Sequence, residues 1–142
     1  METLFSYLLV AMMLASGGAA AHDDATLDAA RSPHGGQLRM AGPYHYELVT
    51  AANAISVYVT DHAGTKLSTK GVSGSATIAS GKREVCIPLR SARDNLVKGS
   101  GKYVLTSDSM VTVSLAFPGK STETARFAPL RKAARRAVNP AH

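Results

Sequence analysis

One stretch, SPHGGQLRMAGPYHYELVT at residues 32–50, concentrates side chains that could do chemistry. Its candidate metal donors are His34, Met40, His45 and Glu47. Neutral imidazole is the commonest protein ligand for transition metals. A thioether beside an imidazole suits Cu(I), while imidazole with carboxylate suits Cu(II), Zn(II) or Ni(II). His45 and Glu47 are two residues apart, so a strand would point both to one face. Gly42-Pro43 is a turn dipeptide. If it closes a two-residue hairpin, Met40 opposes His45, near enough for side chains to meet. His34 is just outside, in a Pro-His-Gly-Gly loop whose glycines would let the backbone fold the ring back toward the sheet. The competing reading is a plain hairpin with surface histidines, in which Glu47 pairs with Arg39.

The chain has five histidines. His62 lies in DHAGTK and reads as an exposed turn residue, and His142 is the last residue. His22 has a different interest. Residues 4–15, LFSYLLVAMMLA, form an apolar run too short to span a bilayer comfortably, and small residues follow. That is the pattern of a secretory signal peptide, with Ala19 and Ala21 as an Ala-x-Ala cleavage site. Only the amino terminus supplies positive charge before the apolar run. Cleavage after residue 21 would free His22, whose amine and imidazole can chelate a metal from one residue. The expected organisation is a signal peptide at 1–21, a flexible leader at 22–32, a β-domain at 33–129 and a basic tail at 130–142. The product would be periplasmic or secreted.

The elements that must position these side chains read as strands. AISVYVT alternates Ile55, Val57 and Val59 with Ser56, Tyr58 and Thr60. Val85, Ile87 and Leu89 share a face in REVCIPL, as do Val111, Val113 and Leu115 in MVTVSLAF. Ser80-Gly81-Lys82, Gly99-Ser100-Gly101 and Pro118-Gly119-Lys120 read as turns. Short strands separated by turns, with no helical stretch inside the domain, describe an antiparallel sandwich or barrel. An immunoglobulin-like β-sandwich of about seven strands is the expected all-β fold.

Composition narrows function further. The formal charge is +6, but four of those charges sit in the tail, on Arg131, Lys132, Arg135 and Arg136. The domain is therefore close to neutral and has no nucleic-acid footprint. The tail could touch an anionic membrane surface, or be a solvated end. No Gly-x-Ser-x-Gly, His-Glu-x-x-His, phosphate loop or Cys-x-x-Cys is present, so no enzyme is expected. The single cysteine, Cys86, rules out an internal disulfide. Its default reading is a small buried hydrophobe, with an exposed thiol as the alternative.

Several motifs carry a resemblance. They are Pro33-His34-Gly35-Gly36, then Tyr44-His45 with Glu47-Leu48-Val49, then Val57-Tyr58-Val59 with Asp61 and Gly64, and the later VCIPLRSARDNLVKGSG. Over about residues 33–128 the chain resembles small exported β-sandwich proteins associated with bacterial heavy-metal and copper efflux or resistance systems. It is also similar to the extra periplasmic domain of some metal-efflux adaptor subunits. The resemblance implies a transition-metal carrier, for copper before zinc or nickel, with an efflux adaptor or other envelope protein as partner. It carries over His34, His45 and Glu47; Met40 and His22 are added from the residues themselves. The alternative is an envelope interaction module that binds no metal.

Overall fold

The computed structural model describes residues 27–28 and 32–131. The expected signal peptide, His22, His142, most of the leader and most of the tail lie outside the described residues. Eight strands make up the described domain: β1 Gln37–Ala41, β2 Tyr44–Ala51, β3 Ala54–Asp61, β4 Ser73–Ser80, β5 Arg83–Arg93, β6 Leu96–Ser100, β7 Met110–Ala116 and β8 Glu123–Phe127. All join one antiparallel sheet in the order β1-β2-β3-β6-β5-β4-β7-β8. The expected immunoglobulin-like sandwich of about seven strands is not reproduced: eight strands share one hydrogen-bonded sheet that curls nearly into a barrel.

Alternation builds the interior. Ile55, Val57 and Val59, with Val111, Val113 and Leu115, are completely buried. Ile87, Leu89, Leu48, Tyr46 and Phe127 complete the core around them. A slip of one residue would turn a whole strand's apolar set outward. For β3 alone that would expose three side chains, at about 1.5–3 kcal/mol each. Eight strands leave an interior just wide enough for side chains to fill.

The sheet ends meet through side chains. The Gln37 amide, buried on β1, accepts from the Ala128 N–H (2.9 Å) and donates to its carbonyl (3.4 Å). It thereby supplies the hydrogen bonds a ladder would make beyond β8. The Tyr46 hydroxyl donates to the Glu123 carbonyl (3.1 Å). Burial, then the neighbouring Glu123 and Tyr44, holds that phenol well above its ordinary pKa. Leu27 is buried, and Asp28 binds Arg39 on β1 at 2.8 Å.

Two local expectations change. Gly99 lies inside β6, opposite Ile55, and not in a turn. A Cβ there would stand 2.2 Å from the Pro88 carbonyl oxygen, so glycine permits close approach to β5. Cys86 is exposed, because the core takes its neighbour Ile87 and alternation turns the thiol outward.

Candidate functional site

The first hairpin has the register its turn requires. Gly42 has φ +55°, and proline fixes the next φ near −65°, the pattern of a type II′ turn. Ala41 therefore pairs with Tyr44, Met40 with His45, and Leu38 with Glu47. Tyr44, Tyr46 and Leu48 face the core, so His45 and Glu47 share the outer face. Across β3, Thr60 stands opposite His45 and Tyr58 opposite Glu47. The outer face of β1–β3 thus gathers the candidate donors in adjacent rows.

His34 folds back onto this face. Its Nδ1 lies 2.8 Å from Glu47 Oε1, and its backbone N–H donates to Glu47 Oε2 at 2.9 Å. The Gly36 N–H donates to the same Oε2 at 2.9 Å. Glu47 is only 2% exposed, so its charge is balanced by three donors and not by water. The His34 ring stacks on Tyr58, with centroids 3.6 Å apart and planes 4° from parallel. Both glycines of the loop are needed. Gly35 has φ +73°, and a Cβ on Gly36 would stand 2.3 Å from the Leu48 carbonyl oxygen. The Pro-His-Gly-Gly loop is laid directly on β2.

Glu47 fixes the His34 tautomer. An ionised carboxylate only accepts, so Nδ1 carries the proton, and in the neutral ring Nε2 keeps the lone pair. That carboxylate–imidazole arrangement is the one that orients metal-bound histidines from behind. It makes Glu47 a support for His34, and both of its oxygens are already engaged. Arg39, the alternative partner for Glu47, is on the core-facing side of β1 with Tyr46 and binds Asp28.

His45 has a different neighbour. Its ring stacks on His62 at 4.7 Å between centroids and 27° between planes. His62 Nε2 lies 3.0 Å from the Gly42 carbonyl and donates to it. That fixes the His62 proton on Nε2 and leaves Nδ1 with a lone pair. Burial lowers the His45 pKa, the neighbouring His62 lowers it further, and Asp61 opposes both. The net lowering favours the neutral ring, the form that offers a lone pair.

The candidate donors consequently form two groups. His34, Glu47 and Tyr58 make one; His45 and His62, with Met40 across the ladder from His45, make the other. Among the described residues, no hydrogen bond or ring contact joins His34 to His45, and no three His, Cys, Asp or Glu side chains are grouped to hold one ion. His34, His45 and Glu47 therefore do not form a single ligand set, because the buried Glu47 carboxylate is consumed by the His34–Gly36 loop.

His62 is the residue sequence reasoning passed over. Its signal was arithmetical. A two-residue turn at Ala52-Asn53 pairs Ala51 with Ala54, and counting back along both strands sets Tyr44 against Asp61. The residue after Asp61 then arrives beside His45. Asn53 supports that turn by adopting φ +58°, which asparagine tolerates better than most residues.

No family model, curated protein or solved structure matches the chain, so the chemistry of this face has to be read from its own residues.

Proposed function

We propose that the protein is an exported transition-metal carrier, copper its principal cargo, serving as an accessory to metal efflux. The observation that carries the reading is the His45–His62 pair, with centroids 4.7 Å apart, on the face where Met40 opposes His45. Metal–imidazole bonds are about 2 Å long, so rings this close can share one ion once they turn out of the stack to aim a nitrogen lone pair each at it. Two imidazoles and a thioether form a soft, few-ligand set suited to Cu(I). Such a site leaves a coordination position open, through which a receiving protein can take the ion by ligand exchange. The resemblance of PHGG and YHYEL to metal-efflux proteins points the same way. No covalent chemistry is required of the chain. His34 and Glu47 belong to the scaffold of the face, and an efflux adaptor or another envelope protein is the fitting recipient.

Titration of the purified mature protein with Cu(I), Cu(II), Zn(II) and Ni(II) tests this. Cu(I) is expected to bind most tightly. The double variant His45→Ala with His62→Ala should weaken binding by at least about tenfold, the scale on which metal sites lose affinity when their support is removed. His34→Ala should leave it nearly unchanged. A wild type that takes none of the four ions, or a double variant that binds as well as the wild type, overturns the proposal.

A further inference from the structure

The opposite end of the barrel carries a second, independent feature. β2 and β3 run from Tyr44 and Asp61, beside the histidine pair, to Ala51 and Ala54. Eight residues of strand put those ends roughly 23 Å apart. At the far end the β4–β5 hairpin and the segment after β6 enclose an open cavity of about 330 Å³. This volume is at the lower end of small-ligand sites.

The cavity has two chemically distinct parts. Ile78, Val85, Tyr103 and Val104 give it an apolar lining. Tyr103 is a fixed wall, because its one hydroxyl proton is shared between the carbonyls of Ala51 (2.5 Å) and Ala54 (2.8 Å). Val104 is 70% exposed, and Leu130 at 40% is the other large apolar side chain so exposed among the described residues. Arg83 and Lys102 also line the cavity, and no carboxylate does. Among the described residues neither cation has a hydrogen bond or ion pair. Unpaired cations around an apolar recess favour a ligand that answers both at once.

We infer that this cavity binds a small amphipathic anion, with its apolar body against Val85, Tyr103 and Val104 and its anionic head between Arg83 and Lys102. Apolar burial supplies the affinity, and the two cations select for the head. The Arg83 guanidinium can hold a carboxylate or phosphate in a two-point fork, while Lys102 adds a point charge. A neutral molecule of the same shape would leave both cations unanswered. A small anion without an apolar body would leave Val104 exposed.

Isothermal titration of the full chain with octanoate, 1-octanol and acetate tests the inference. Octanoate should bind at least about tenfold more tightly than 1-octanol, through its charge, and acetate should show no saturable binding. Raising the salt concentration should weaken octanoate and leave 1-octanol unaffected. The double variant Arg83→Ala with Lys102→Ala should bring octanoate down to the level of 1-octanol. Both side chains are exposed, so the variant should fold, and circular dichroism checks that it has. Octyl phosphate distinguishes the head group: tighter binding than octanoate names a phosphate, weaker binding a carboxylate, and either supports the site. Absence of saturable binding by both anions overturns the inference, as does equal affinity for octanoate and 1-octanol. So does a double variant that retains wild-type affinity for the anions. None of these outcomes depends on whether His45 and His62 bind a metal.

Discussion

His34 and His45 lie on the same outer face of the barrel and have opposite fates. His34 is locked by a buried carboxylate and a stacked tyrosine, and its partner Glu47 uses both oxygens on the loop that carries it. His45 is held by another imidazole, a group that can also become a cation and also carries a lone pair. A histidine paired with its electrostatic complement is a fastener. A histidine stacked on its own kind gains nothing from charge, and the pair retains donors for a third species. Proximity in sequence hid this difference; the hydrogen-bond partners reveal it.

The contrast breaks most visibly in stability. Glu47→Ala strands the backbone N–H groups of His34 and Gly36 and releases the ring. Orphaned, partly buried donors and lost charge-assisted hydrogen bonds together should cost about 2–4 kcal/mol in urea denaturation. His45→Ala, on a partly exposed ring without a hydrogen-bond partner among the described residues, should cost under about 1 kcal/mol. If the two variants lose equal stability, the division of the face into fastener and open pair is wrong.

The first hairpin was legible because its cues are local. Gly42-Pro43 sets the turn, the turn sets the register, and alternation sets the faces of His45 and Glu47. The buried set of β3 and β7 followed from alternation in the same way. The strand order was not legible. β3 pairs with β6, so residues 62–72 must cross to β4. That crossing is pinned by Thr69, fully buried, which donates to the Leu96 carbonyl at 2.9 Å. A threonine in a polar stretch announces nothing about a partner 27 residues away. Closure through Gln37 and Ala128 spans 91 residues and depends on one amide filling in for a missing strand pair. Glycine was ambiguous for a related reason. Gly99 reads as a turn residue, yet what demands it is the approach of the Pro88 carbonyl on a neighbouring strand. The site was divided for the same cause: the burial of Glu47 and the arrival of His62 both depend on which strands pair.

A subtler change sharpens the view of the fastener. Glu47→Gln keeps the shape and one acceptor oxygen. That oxygen can still receive the His34 and Gly36 N–H groups, while the new amide must donate to His34 Nδ1. The imidazole should respond by moving its proton from Nδ1 to Nε2. The expected cost is about 1 kcal/mol, since every hydrogen bond is retained but the charge is lost. Nitrogen-15 shifts of the neutral ring report the tautomer directly. If Nδ1 keeps its proton in the variant, Glu47 does not set the His34 tautomer.

The smallest effect expected is on the titration of the open pair. The His45 pKa lies below its ordinary value of 6.5, first through burial and then through His62, with Asp61 acting in the opposite sense. His62→Ala removes the second cause and uncovers the ring, so both changes raise the His45 pKa toward 6.5. Histidine proton shifts followed against pH measure this. The linked stability has a definite sign. Below 6.5 the unfolded chain takes up the His45 proton before the folded one does, so this residue's contribution falls as the pH drops toward the folded pKa. It is constant above 6.5, where His45 is neutral in both states. His62→Ala should therefore flatten the acid limb of the stability profile. A His45 pKa that falls, or fails to move, when His62 is removed would mean that the two rings do not share an electrostatic environment, and the open pair would lose its claim to act as a unit.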